Sequence, residues 1–249
     1  MRTLIVTVNA LVMTIVLGTT VVIARLFRLP QGRDSVYARC IRLWAKSMNR
    51  AAGVTVRVHG AERLENAHGA VVIANHVSWF DIMPLASVVP WCSFVAKAEL
   101  RKIPLFGFAA EAAGIVFIDR DNRKSAFESY EVAAKEVRRG RAIVVCPEGT
   151  RGRDYHLRPF KKGPFVLAIA SQAPIVPAIV YGAREVMPKG SFWIRSGVVD
   201  IHFLEPVPTA GYDYEHRAEL MTTVWNEMAD ELRARYGVVT SEHPVAKRA

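Results

Sequence analysis

From Leu4 to Ala24 the chain is almost wholly apolar and carries no charge. These 21 residues are enough for a helix to cross a hydrocarbon layer of about 30 Å. Thr7, Asn9, Thr14, Gly18, Thr19 and Thr20 dilute the apolarity, so a re-entrant or interfacial helix competes with a full span. A cleaved signal peptide fits less well, because the apolar stretch is long, only Arg2 precedes it and Arg25 follows at once. Residues 25–50 then carry Arg25, Arg28, Arg33, Arg39, Arg42, Lys46 and Arg50 against a single acid, Asp34. Positive charge on this flank places it, and the chain after it, on the cytoplasmic side of a cell membrane. Val36, Cys40, Leu43, Ala45 and Met48 mix with these cations in a loosely helical pattern. That pattern predicts a basic amphipathic helix, lying on a membrane surface or packed on the domain behind it.

After Gly53 the pattern changes to α/β. Val54, Val56 and Val58 alternate with Thr55, Arg57 and His59, the period of a half-buried strand. Continuous apolar runs at 71–74, 92–96, 115–118, 142–146 and 175–181 predict buried strands of a mainly parallel sheet flanked by helices. A further strand is expected at 198–204, nearer an edge. Between them, residues 123–139 read as an amphipathic helix with Phe127, Tyr130, Ala134 and Val137 on one side, stopped by Gly140. Residues 212–236 read as a long helix with Leu220, Val224, Met228 and Leu232 in register, ended by Gly237. The expected organisation is two membrane-associated helices over 1–52, one catalytic domain over 53–237 and a basic tail over 238–249.

Charge and cysteine content narrow the setting. The net charge is +10 with a sequence pI near 9.8. No nucleic-acid module is recognisable, so the basic excess is read as attraction to an anionic membrane surface. Cys40, Cys92 and Cys146 are odd in number, widely spaced and without metal-ligand spacing, which suits reduced thiols in a cytoplasmic setting. His59, His156, His202, His216 and His243 have no partner spacing that suggests metal or catalysis.

The chemistry gathers at strand ends. Asn75-His76-Val77-Ser78-Trp79-Phe80-Asp81 follows the apolar run Val71–Ala74, and functional groups collect where α/β strands end. Asp81 suits the role of a partner that fixes the His76 tautomer and leaves Nε2 free to take a proton from a hydroxyl. On a regular helix five residues turn about 500°, so the pairing requires a loop or first-turn geometry. A second run, 142–145, leads into Cys146-Pro147-Glu148-Gly149-Thr150-Arg151-Gly152. There Arg151 offers a donor fork suited to phosphate, Glu148 an acceptor for a hydroxyl or the arginine, and the glycines allow close approach. Between them lie Lys97-Ala98-Glu99-Leu100, Ile103-Pro104-Leu105-Phe106-Gly107 and Gly114-Ile115-Val116-Phe117-Ile118-Asp119-Arg120.

With Phe160-Lys161-Lys162-Gly163 and Ile175-Val176-Pro177-Ala178, these blocks resemble, in order and over roughly residues 75–180, the glycerolipid acyltransferase family. The match is best with its 1-acylglycerol-3-phosphate branch. The resemblance implies that His76, oriented by Asp81, deprotonates the free hydroxyl of lysophosphatidic acid. That oxygen attacks an acyl thioester of coenzyme A or acyl carrier protein, giving phosphatidic acid without a covalent enzyme intermediate and without a metal or other cofactor. Arg151, with Arg120 and Lys97, would hold the acceptor phosphate, and Lys162 is a weaker candidate. Glu148, Gly149 and the adjoining Thr150 would position the glycerol. The family also implies an N-terminal helical pair that can enter one leaflet without crossing. Cys146 departs from the bulkier apolar residue usual before the Pro-Glu-Gly-Thr-Arg block.

Two other acceptors keep the same base: a lysophospholipid with a head group and lyso-ornithine lipid, the latter disfavoured by the phosphate-directed Arg151. A non-catalytic protein binding acidic lipid has no need of the His76–Asp81 pair. The chain lacks a Gly-x-Ser-x-Gly elbow, a P-loop and a dinucleotide Gly-x-Gly-x-x-Gly, which argues against serine hydrolase and nucleotide-dependent chemistry. The apolar stretch Leu105–Ile118, interrupted only by Glu111, reads as ordinary core, or as lining of an acyl-chain tunnel or a lipid contact involving Phe106 or Phe108.

Overall fold

The computed structural model describes residues 1–65, 69–119 and 123–240. Arg120, the Phe127 side chain and residues 241–249 lie outside the described part. The chain opens with α1 (Arg2–Leu26) and α2 (Val36–Ala52), then β1 (Val54–His59), α3 (Glu62–Glu65), β2 (Val71–Ala74), α4 (Ile82–Val88) and β3 (Cys92–Lys97). It continues through α5 (Phe106–Ala112), β4 (Val116–Ile118), α6 (Arg123–Arg138), β5 (Ala142–Val145), α7 (Gly163–Ser171) and β6 (Ile175–Tyr181). The remaining elements are α8 (Ala183–Val186), β7 (Gly197–Phe203) and α9 (Arg217–Tyr236).

Seven strands form one sheet in the order β1-β7-β6-β2-β5-β3-β4. The five strands from β6 to β4 run parallel, while β7 is antiparallel to β6 and parallel to β1. Every residue of β2 and β5 is buried, the mark of strands covered on both faces. Side chains alternate between those faces. Val72, Ala74, Val144, Val176 and Ile201 pack toward α2 and α4, and Val71, Ile73, Ile143, Ile175 and Ile179 toward α6, α7 and α9. Each predicted strand is present, and β7 lies second from the edge.

One helix starts later than its pattern suggests. The run from Tyr212 becomes α9 only at Arg217, because Asp213 Oδ1 accepts from the backbone N–H groups of Glu215 and His216 and holds them in a turn.

The N-terminal helices are bound to the rest of the chain along their length. Arg2 Nη1 donates to Ala52 O at 2.9 Å, Asn9 to the Ser47 hydroxyl at 3.1 Å, and Trp44 Nε1 to the Thr14 hydroxyl at 3.0 Å. Near the other end of α1, Gly18 faces Ala109 of α5, and a Cβ there would sit 3.3 Å from the Ala109 methyl. The outward face keeps Leu4, Ile5, Val8, Leu11, Val12, Ile15, Val16, Val22 and Ile23 exposed, an apolar stripe at helical spacing. In α2 the sequence offered two settings. Tyr37, Cys40, Ala45, Met48 and Asn49 are buried, so one side packs on the molecule, while Leu43 and several of its cations stay exposed.

Candidate active site

Strand β2 occupies the middle of the sheet, between β6 and β5, and His76 lies two residues beyond its end. Asn75 fixes that exit. Its side chain donates to Val180 O at 3.0 Å and accepts from Val180 N at 2.7 Å, continuing the pairing with β6. The chain then bends through a 3-10 turn, Trp79–Asp81, which Ser78 caps by accepting from Phe80 N at 2.9 Å. This turn supplies the geometry that a regular helix denies to the five-residue spacing. Asp81 Oδ2 lies 2.8 Å from His76 Nδ1 and also accepts from the backbone N–H groups of Val77 and Ser78, each at 2.8 Å. The carboxylate is fully buried. With Asp81 accepting, Nδ1 carries a ring proton in either charge state, and Nε2 is the nitrogen that gains or loses the second one.

Electrostatics raise the basicity of this ring. Burial works against a charged ring, but the Cys146 sulfur and the Asp81 carboxylate outweigh it and hold His76 above the ordinary imidazole value. The loop after β5 supports it from the other side. Glu148 is buried and its Oε1 accepts from His76 N at 2.8 Å, while its Oε2 accepts from Arg158 N at 3.4 Å. Burial pushes the Glu148 carboxyl up to about 7, against the pull of the His76 and Arg158 amides. Gly149, at φ +71°, makes the turn that brings Thr150 and Arg151 round to His76.

His76, Trp79, Lys97, Gly149, Thr150 and Arg151 border one cavity of about 580 Å³. Beyond that polar end its lining is apolar: Ile82, Met83, Ala86 and Phe94, with Gly18 and Val21 of α1, Cys40 of α2, Ala109 of α5 and Ala113 just after it. Arg151 places its guanidinium 5.6 Å from the centre of the Trp79 ring, a cation–π contact. Its carbonyl accepts from Lys189 Nζ at 2.7 Å and Arg158 Nη1 at 3.2 Å, which surrounds the loop with positive charge. The arrangement joins an imidazole paired to a buried carboxylate, a cationic rim and an apolar slot.

The acyltransferase family model matches residues 55–181. The chain belongs to the acyltransferase family. It is 33% identical over 183 residues to the human 1-acyl-sn-glycerol-3-phosphate acyltransferase alpha, covering 73% of this chain and 65% of that protein. It is 34% identical over 203 residues to the Saccharomyces cerevisiae 1-acyl-sn-glycerol-3-phosphate acyltransferase, covering 80% and 65%. The chain thus spans just under two thirds of the length of these two relatives. The crystal structure of the 1-acyl-sn-glycerophosphate (LPA) acyltransferase PlsC from Thermotoga maritima superposes with a TM-score of 0.76. That pair is 29% identical and covers 94% of this chain and 96% of the other.

Within this member of the acyltransferase family, the structure separates the residues named from sequence. His76, Asp81, Lys97, Gly149, Thr150 and Arg151 come together. Glu148 stands behind the loop and bonds the His76 backbone instead of Arg151 or the open cavity. Lys97 pairs with Glu99 at 3.2 Å on the exposed rim. Lys162 is exposed at the start of α7 and does not border the cavity. Its neighbour Lys161, not singled out from sequence, runs its side chain past Gly149, within 3.5 Å of where a Cβ would stand. Phe106 lines the cavity, whereas Phe108 points outward and is 73% exposed.

Proposed function

We propose that this acyltransferase esterifies the free hydroxyl of 1-acyl-sn-glycerol-3-phosphate with the acyl group of a thioester, forming phosphatidic acid in phospholipid biosynthesis. The observation that carries this reading is the His76–Asp81 pair at the polar end of an apolar cavity, with Arg151 on the same rim. The shared names of the two sequence relatives and the Thermotoga structure support the acceptor. His76 Nε2 takes the hydroxyl proton as that oxygen attacks the thioester carbonyl. The carbon–sulfur bond then breaks, and the proton leaves with the thiolate of coenzyme A or acyl carrier protein. Acceptor and donor sit in the site together, so proximity replaces a covalent enzyme intermediate. Arg151, helped by Lys97 and the nearby Lys161, holds the acceptor phosphate. The slot beyond Ile82 and Met83 takes the donor's acyl chain.

Helix α1 is the membrane element in this reading. It is long and apolar enough to cross a bilayer, with mean hydropathy 2.2. Yet near one end the Thr3 hydroxyl accepts from Ile194 N at 3.0 Å, and Gly18 toward the other packs on α5. Both ends therefore stay with the catalytic domain, which favours a helix lying in one leaflet with its exposed stripe in lipid. The cationic flank puts the catalytic domain on the cytoplasmic face of the cell membrane.

The test is phosphatidic acid formation by purified, detergent-solubilised protein given 1-acylglycerol-3-phosphate and either thioester donor. Glycerol-3-phosphate and a head-group lysophospholipid compete as acceptors. Preferential turnover of 1-acylglycerol-3-phosphate supports the assignment, and product from another acceptor alone reassigns the cationic rim.

A further inference from the structure

The sheet face that packs on α9 carries a cluster that acyl transfer does not use. Strands β1 and β7 run in parallel with His59 opposite His202, and Asp200 lies two residues before His202 on the same face. Ile201 points the other way, toward α2 and α4 and the side of the acyl cavity. The His59 and His202 rings stack at 4.3 Å, and Asp200 Oδ1 lies 3.4 Å from His59 Nε2. One nitrogen or oxygen from each of the three residues falls within 4.8 Å of the others.

The orientation of His202 is the second observation. The residue is only 4% exposed, and its Nε2 lies 2.7 Å from the Tyr236 hydroxyl. Its Nδ1 is buried with no hydrogen-bond partner. A buried, unpaired nitrogen is destabilising unless something binds it. A ring nitrogen held by an outer hydroxyl while the other is left open is how ligating histidines are presented to a metal.

We propose that His59, Asp200 and His202 form a site for one divalent cation of the zinc class. Two imidazoles and one carboxylate suit a borderline ion better than calcium or magnesium, which prefer all-oxygen sets. To complete the set, His59 turns out of the stack. Its side chain is 48% exposed on the edge strand, so the rotation meets little resistance. Glu231 Oε1, 3.9 Å from His202 Nδ1, is occupied by Arg235, which leaves the fourth position to water. A bound ion would tie the edge strand β1 to β7 without touching the acyl cavity.

The experiment uses tag-free full-length protein stripped with chelator and titrated with Zn2+ by calorimetry, with Co2+ as the absorbing probe. The expected result is one ion per chain and visible Co2+ bands of a four-coordinate site. His59→Ala and Asp200→Asn should each weaken binding at least tenfold. Zn2+ should raise the Tm of the parent protein but not of His59→Ala, which keeps its acyl transfer because His59 lies outside that site. Failure to bind Zn2+, or equal stoichiometry and affinity in His59→Ala, overturns the proposal.

Discussion

The buried carboxylate of Glu148 accepts the backbone N–H of His76 at 2.8 Å, so the loop after β5 sets the position of His76 at the end of β2. This places Glu148 against the His76 backbone, outside the residues that line the cavity. Burial raises its carboxyl to about 7, which links the contact to pH. A folded value above the ordinary carboxylate range favours the protonated form in the native state. Stability from this group is therefore full below about pH 4.3, the usual glutamate value, and is lost as pH rises through about 7. Glu148→Gln keeps an oxygen that can accept from His76 N but never ionises. It should raise Tm relative to the parent at pH 8 and have little effect at pH 5. A pH-independent difference would remove Glu148 as the titrating group.

His76→Ala should lower kcat by about a hundred- to ten-thousand-fold while leaving folding and membrane attachment intact. Near-normal turnover in that variant would dismiss the base. Because burial is outweighed by Cys146 and Asp81 and the ring is held above its ordinary value, the reactive neutral imidazole gains population as pH rises. The kcat/KM profile should climb through neutral pH into the alkaline range. Asp81→Asn removes the carboxylate charge, so the rising limb should move to lower pH even as the rate falls. A limb that stays in place would mean that another group controls it.

Arg151→Ala should raise the acceptor KM roughly ten- to hundredfold, the worth of one charged hydrogen-bonding partner, and at least as much as it lowers kcat. Arg151→Lys should recover part of the loss, since a point charge remains but the donor fork does not. Lys162→Ala should leave the acceptor KM unchanged, whereas Lys161→Ala should raise it. The opposite ranking of the two lysines would return the phosphate role to Lys162.

The strands were readable because β2, β5 and β6 are covered on both faces, and a strand buried on both sides is written as an unbroken apolar run. The His76–Asp81 pair was readable as a requirement: its spacing excludes a regular helix, and the 3-10 turn capped by Ser78 is the solution found. Other features depend on backbone detail that spacing does not encode. Which of Lys161 and Lys162 faces Gly149 is decided by the loop entering α7. Glu148 gave an acceptor in the sequence, but its partner, the His76 amide, is 72 positions away. His59, Asp200 and His202 looked unrelated because β1 and β7 meet only through a pairing that joins distant parts of the chain.

Phe106 and Phe108 open the same short helix and face different surroundings, one in the cavity wall and one in the exterior. Two positions apart on a helix is about 200°, so the pair separates the two roles considered for this apolar stretch. Phe106→Ala enlarges the cavity wall and should shift donor chain-length preference toward longer or bulkier acyl groups. Phe108→Ala should leave that preference alone and instead reduce binding to lipid vesicles, as loss of an exposed aromatic at a membrane face does. Competition between thioesters of graded length, scored by mass of the product, reads the first effect, and vesicle co-sedimentation reads the second. If Phe106→Ala alters folding yet preserves the chain-length ranking, the slot beside Phe106 is not where the acyl chain lies.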